Sequence, residues 1–365
     1  MLAVFVAFAA FVAATQAASS CPFQAAQNGE LVNDEEFIRA AYSKFLKDHH
    51  GNSNRAPVEV ESRFHLFRAN YIRAMELNAE LNAARGTTGL VAHGVTKFSD
   101  MSPDEMRAYT GYVRSSENIR QRYFDSAKDQ TYRGSEPALS DWRKEKGVNT
   151  AVKNQGQCGS CWAFSAVTAA EGAIGVKYRN NTDTDAELST QQVVDCDKRS
   201  AGCRGGDLPP AYDYITKRGG LIADRDYPYT AKDGTCRDTQ ASLQSQIQGY
   251  EWTIPPCTSG GCGKQDETLL SQKIAEKGPA AICVYVTNDW YSYTGPEPLS
   301  ASCGYDYYSL NHCITLDGLI EEKGQLAWVA RNSWGTSWGI GGFIKFPFGK
   351  NSCGLADEVA HVIVA

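Results

Sequence analysis

The sequence predicts an α+β chain in which helices come first and a strand-rich part follows. Three observations carry this. Between Glu59 and Ala84, the residues Phe64, Phe67, Tyr71, Met75 and Leu77 recur at roughly three-to-four spacing with charges between them, the period of one helix face. Far downstream, "AAICVYV" (Ala280 to Val286) and "GGFIKF" (Gly341 to Phe346) have the short apolar pattern of strands. Between them, residues 111–137 are polar and weakly patterned, which predicts an exposed linker open to proteolysis.

Taken from the N-terminus, the first element is an apolar run, Leu2 to Ala14, that precedes the first charged side chain, Glu30. It is too short to span a bilayer but suits a secretory leader, with small residues for cleavage after Ala17, although no Lys or Arg precedes it. Residues 1–17 are therefore expected to be a signal peptide. The Glu59 to Ala84 helix follows. "FSDMSPDEM" then predicts a helix start with Ser102 as cap and Pro103 in the first turn. Beyond the linker, "WAFSAVTAAEGAIGVKY" (Trp162 to Tyr178) lacks proline, is rich in helix formers and directly follows a glycine-rich loop.

Composition narrows the function. The 365 residues suffice for two domains, and a net charge of −6 without a basic run argues against nucleic-acid or anionic-membrane partners. Twelve cysteines suit an oxidising compartment. Cys21 stands apart, and the other eleven all follow residue 157. Ten of these can pair, leaving one for a reactive thiol.

Two cysteines in "NQGQCGSCWAF", Cys158 and Cys161, form a C-x-x-C. Such a pair serves as a redox couple, as half of a metal site, or as a nucleophile beside a structural thiol. A redox couple of the thioredoxin type follows a strand, whereas this flank is polar and turn-like. A zinc site needs a second Cys/His pair at ligand spacing, and "DCDKRSAGC" and "CTSGGC" have wider gaps. A nucleophile needs a helix N-terminus and a histidine. Cys161 has the first, where helix dipole and free N–H groups favour thiolate. Of six histidines, four (His49, His50, His65, His93) precede the linker. His361 sits in the apolar "EVAHVIVA", which suits a structural role, and leaves His312 in "LNHCITLDGL" as candidate.

The segment around Cys161 resembles the nucleophile motif of papain-like cysteine proteases, and "RNSWGTSWGIGGF" around Asn332 supplies the further downstream part. Upstream, Glu59, Arg63, Phe67, Asn70 and Asn78 match the spaced prodomain motif of the cathepsin L and F type, with Ala74 in place of Ile. Gly94, Phe98 and Asp100 match the second prodomain motif, with Thr96 in place of Asn. The resemblance implies a two-lobed fold, a helical lobe and a β-barrel-like lobe with a cleft between them, preceded by a helical inhibitory prodomain. The implied division is a propeptide over 18–134 and a mature peptidase over 135–365.

It also implies roles. Cys161 would attack the peptide carbonyl as a thiolate paired with His312 imidazolium. Asn332 would orient the ring and Trp334 would cover their hydrogen bond. Gln157 would join the Cys161 N–H in holding the oxyanion. Cys158–Cys203, Cys196–Cys236 and Cys303–Cys353 would be the family disulfides; the sequence alone leaves connectivity open. Gly205 and Gly206 would let a substrate strand approach closely. Asp207, Leu208, Leu310, Glu358, Cys283 and Cys313 would line the pocket for the second residue upstream of the cut. The last two are expected to form a disulfide in its wall, against the alternative of two buried thiols, and "CTSGGC" to close a small loop. Glu358 predicts a pocket accepting Arg or Lys as well as apolar residues, unless it turns to solvent.

No spare histidine exists to cap the cleft as in exopeptidase relatives, so an endopeptidase is expected. The implied partners are protein or peptide substrates, the chain's own propeptide as inhibitor, and cystatin-like inhibitors. No cofactor or metal is implied, and the protein is expected to be monomeric. Acid is expected to loosen the propeptide by protonating carboxylates such as Glu59 and Asp100. "NNT" at Asn180 is a candidate glycosylation site. The implied location is the secretory pathway, either lysosomal or extracellular. A catalytically inactive relative serving as a binding or inhibitory protein is the rival reading.

Overall fold

The computed structural model describes residues 34–51, 55–115, 135–178, 187–237, 243, 247–257, 265–299, 303 and 307–365. The expected leader, Cys21, Asn180, Cys262 and residues 116–134 lie outside the described residues.

The chain begins with helix α1 (Glu35–His49), capped by the Asp34 carboxylate, which accepts from Glu36 N at 2.9 Å. Helix α2 (Pro57–Arg85) starts on a proline and stops at Gly86 in the left-handed region. The apolar stripe read from the sequence is its buried face. Phe64, Phe67 and Tyr71 pack with Tyr42 and Phe45 of α1 in a small separate core, with ring centroids 5.1 Å apart for Tyr42 and Phe67.

The polar motif residues on α2 are brackets for the chain that follows. Asn70 donates to the carbonyls of Ser99 and Met101, both at 3.0 Å. Asn78 donates to His93 O and accepts from the N–H groups of Ala92 and His93. The Arg63 guanidinium makes two 2.6 Å bonds to Glu105 and pulls that carboxyl down to about 2. Glu105 also closes a capping box with Ser102 at the start of α3 (Pro103–Arg107), where the sequence placed a helix start.

The second part has two lobes. In the helical lobe, α4 (Cys161–Lys177), α5 (Thr190–Cys196) and α6 (Leu208–Arg218) share one core. Helix α4 is apolar all round and accordingly buried along nearly its whole length. The other lobe is an antiparallel sheet with α7 (Glu267–Lys277) beside it. Its strands are β1 (Ser140–Asp141), β2 (Ile247–Trp252), β3 (Ala280–Val284), β4 (His312–Glu322), β5 (Gln325–Arg331), β6 (Phe343–Pro347) and β7 (Val359–Val364). The order is β2-β7-β3-β4-β5-β6, with β1 on β4. Trp290, Trp328, Trp334 and Trp338 fill its interior. His361 is structural, its ring bonded to Thr253 Oγ1 at 2.7 Å and to Gly278 O at 2.9 Å.

The N-terminal segment docks on the sheet lobe. Leu81, Ala92, Phe98, Met106 and Tyr109 belong to the same core cluster as the tryptophans. His93 forms an antiparallel bridge with Tyr293, and Gly94 N donates to Ser292 O at 2.7 Å. The expected exposed linker is corrected at its start. Gly111 and Tyr112 both donate to Asn311 O, and Tyr112 is buried. The weak local pattern of 111–115 arises because its partners are the walls of a groove rather than its own neighbours.

Candidate active site

Cys161 opens α4 at the bottom of the groove, fully buried, and is the free cysteine among the described residues. The first turn of a helix leaves N–H groups without intrahelical acceptors, so the Cys161 amide and sulfur sit at the positive end of the helix. His312 opens β4 on the opposite lobe. Its Nε2 donates to Asn332 Oδ1 at 2.9 Å, and Nδ1 is buried without a hydrogen-bond partner. Asn332 Oδ1 also accepts from Ser333 N, which holds the amide in place. The Trp334 ring lies 5.1 Å from the imidazole, tilted by 34°, and its Nε1 donates to Tyr109 O. With Nε2 protonated, Nδ1 is a lone-pair acceptor.

Burial pushes the Cys161 thiol up to about 12 and pulls His312 down to about 4. Both shifts favour the neutral pair. The thiolate–imidazolium pair expected from the sequence is therefore opposed while residues 109–113 cover the site.

Two glutamines of the nucleophile loop differ in their surroundings. Gln157 is exposed, whereas Gln155 is fully buried. Gln155 Nε2 donates to Cys158 O at 2.8 Å and its Oε1 accepts from Ser333 Oγ at 2.6 Å. Gly156, between the two glutamines, takes φ of 60°.

Disulfides shape the groove. Cys158–Cys203 joins the nucleophile loop to the wall carrying Gly205 and Gly206. Cys196–Cys236 and Cys303–Cys353 brace the helical and sheet lobes. Cys283–Cys313 joins directly paired residues of β3 and β4, beside His312. Cys257 is also disulfide-bonded. Gly205 takes φ of 116°, open to glycine and strained for other residues, and a Cβ there would lie 2.8 Å from Gly111 O. Gly206 N donates to Gly111 O and Val113 N donates to Gly206 O, both at 2.9 Å.

Asp207 and Leu208 begin α6. Asp207 Oδ1 caps Leu208 N at 2.7 Å, and its Oδ2 accepts from Ser115 N and Oγ, both at 2.8 Å. Leu208, Leu310, Cys283, Cys313 and Tyr112 are buried in one apolar cluster. Glu358 is fully buried at the end of this pocket, not turned to solvent. Tyr112, whose role the sequence did not disclose, donates to both of its oxygens, at 3.1 and 2.9 Å. Arg114 Nη2 stands 3.5 Å from the same carboxylate.

A thiol at a helix N-terminus, an oriented imidazole with a free acceptor nitrogen and a strand-binding groove suit acyl transfer from a peptide to sulfur. The comparisons agree. Residues 136–363 match the model of the papain family cysteine protease, and residues 42–106 match the cathepsin propeptide inhibitor domain. A KDEL-tailed cysteine endopeptidase of Arabidopsis thaliana is 32% identical over 345 residues, 91% of this chain and 88% of that protein. Cysteine proteinase 1 of Dictyostelium discoideum is 34% identical over 331 residues, 86% of this chain and 90% of that protein. Digestive procathepsin L 3 from the larval midgut of Tenebrio molitor superposes with a TM-score of 0.71 at 28% identity, covering 90% of this chain and 99% of the other. With a family match across more than half its length and the propeptide domain preceding it, the chain belongs to the papain family of cysteine proteases and is a zymogen carrying its own inhibitor.

Proposed function

We propose that the chain is a secreted cysteine endopeptidase zymogen in which Cys161 is the nucleophile, His312 the general base and acid, and Asn332 the orienting residue. Residues 1–17 are its signal peptide, 18–134 its propeptide and 135–365 the mature enzyme of the secretory pathway, lysosomal or extracellular. The observation that carries this reading is the His312 ring, with Nε2 committed to Asn332 and Nδ1 left as a buried, unpartnered acceptor.

Once the propeptide leaves, the Cys161 thiol passes its proton to Nδ1 and sulfur bonds to the substrate carbonyl carbon. The carbonyl π electrons move onto oxygen. The Cys161 N–H and the Gln155 side-chain amide, after rotating from Cys158 O, stabilise that oxyanion. Collapse breaks the C–N bond, and the imidazolium proton goes to the departing amine. Water, deprotonated by the neutral imidazole, then attacks the thioester; the acid product leaves and the thiol regains its proton. The pocket is apolar around a buried Glu358, which suits apolar side chains and tolerates Arg or Lys.

The test is peptide hydrolysis by the processed enzyme, together with labelling by a thiol-directed epoxide. Both should vanish in Cys161→Ala. Hydrolysis that survives this change would overturn the assignment, and a processed wild-type chain that neither labels nor cleaves would favour the inactive relative.

A further inference from the structure

Asp34, Ser102, Ser189, Asp207 and Asp266 each stand before a helix and accept with their side chains from its first turn. Ser160 stands before α4 and does not. Serine is among the preferred capping residues, so its failure to cap has a cause to be found nearby. Its backbone, at ψ of 16°, lies outside the extended region from which a cap turns back on its helix. Its Oγ is 2.7 Å from the Tyr229 hydroxyl. Tyr229 donates its one proton to Gln155 O at 2.8 Å, so Ser160 is the donor in their shared bond. The Tyr229 ring is set edge-on against Phe164 of α4, with centroids 4.7 Å apart. Burial pushes its phenol up to about 12, so it remains a donor at any working pH.

The consequence falls on Cys161. Burial raises its thiol, while the backbone N–H groups of Cys313, Trp162 and Cys161 itself act against that rise. Two of these three are first-turn N–H groups of α4, the groups for which a capping side chain competes. We propose that Tyr229 is a positioning residue for the nucleophile: by holding the Ser160 hydroxyl off α4, it keeps the first-turn N–H groups open to the sulfur and to the oxyanion. This rests on the peptidase reading and extends it to a residue outside the reacting set. Without the phenol, Ser160 relaxes to the extended conformation and caps the N–H of Trp162 or Ala163. The helix then gains a bond, and the sulfur loses a donor that favours its thiolate.

The test uses the processed enzyme with a peptide substrate and, separately, with iodoacetamide, which alkylates the thiolate without forming an oxyanion. Tyr229→Phe should lower kcat/KM about tenfold and move the acid limb of the alkylation profile to higher pH by about half a unit or more. Ser160→Ala removes the competing cap, so in that background the cost of Tyr229→Phe should shrink to about twofold. A ring needed only for packing or for bracing the loop would cost the same in both backgrounds and leave the alkylation profile in place; that result overturns the proposal. Should Tyr229→Phe fail to fold, Ser160→Asn decides. Asparagine is a strong neutral cap and should move the alkylation profile in the same direction, and an unmoved profile overturns the proposal while leaving the peptidase reading intact. A parent enzyme that neither cleaves the peptide nor alkylates at Cys161 removes both.

Discussion

Replacing His93 with asparagine should blunt the release of the propeptide by acid. His93 is completely buried where the propeptide docks on the sheet lobe, with Nδ1 2.9 Å from Ser292 Oγ and the ring edge-on to Tyr293. The charged groups facing it are Asp289, from the turn that carries Ser292, and Arg73 and Glu80, from α2. Arg73 bridges the two acids, at 3.3 Å from Asp289 and 2.9 Å from Glu80, so neither is a free counter-ion for an imidazolium. Burial prevails and pulls the imidazole down to about 4. A histidine whose docked value lies below its free value of about 6.5 binds its proton more readily after release. Its contribution to docking is therefore complete above about pH 6.5 and is lost as pH falls towards 4. The gap between these values corresponds to about 3 kcal/mol, a large share of a marginally stable interface. Asparagine keeps polar atoms near the Nδ1 position but does not titrate. The assay is hydrogen exchange across residues 90–101 in the full chain carrying Cys161→Ala, so that self-cleavage does not intervene, from about pH 7 to about pH 4. The parent should lose protection across this range and His93→Asn should retain it. Identical midpoints in the two would refute the reasoning and return the role to carboxylates such as Asp100, which is buried against Arg55 at 2.6 Å. Glu59, the other carboxylate expected from the sequence, is half-exposed and 3.6 Å from Arg55, a surface pair of little energetic weight.

Two further changes separate local roles. Gln155→Ala should lower kcat/KM of the processed enzyme by about 10²–10³, the usual cost of an oxyanion donor, whereas Gln157→Ala should leave it near the parent value; the reverse order in steady-state kinetics would restore Gln157. Gly111→Ala should weaken self-inhibition, because the added Cβ would lie 2.0 Å from Gly159 O. Titrating the full-length zymogen with the epoxide before processing should then show faster labelling than the parent, and an unchanged rate would count against the close approach.

Much of the site was legible because its parts lie in short, locally patterned stretches. The helix opened by Cys161 is announced by a glycine-rich loop followed by helix formers. The placement of His312 needed only the elimination of five other histidines. Motif residues on α2 could be named from their spacing, yet spacing alone said nothing of what they grip. What Asn70 and Asn78 bond to is visible only once residues 90–101 are folded back against them. Distance along the chain did not distinguish the exposed Gln157 from the buried Gln155.

What the sequence determined by itself is therefore three of the helices, the strand-rich second half and the family, and it named Cys161, His312 and Asn332 as the candidate site. The helices and strands follow from periodicity, and the family and its site residues from the resemblance of short motifs. Tertiary structure alone decided that Tyr112 meets Glu358 across 246 positions and that residues 111–113 pair with the walls of the groove, and it settled the expected Cys283–Cys313 disulfide against two buried thiols. Each of these depends on which surfaces exclude water together. That is a property of the packed chain, and no stretch of sequence contains it.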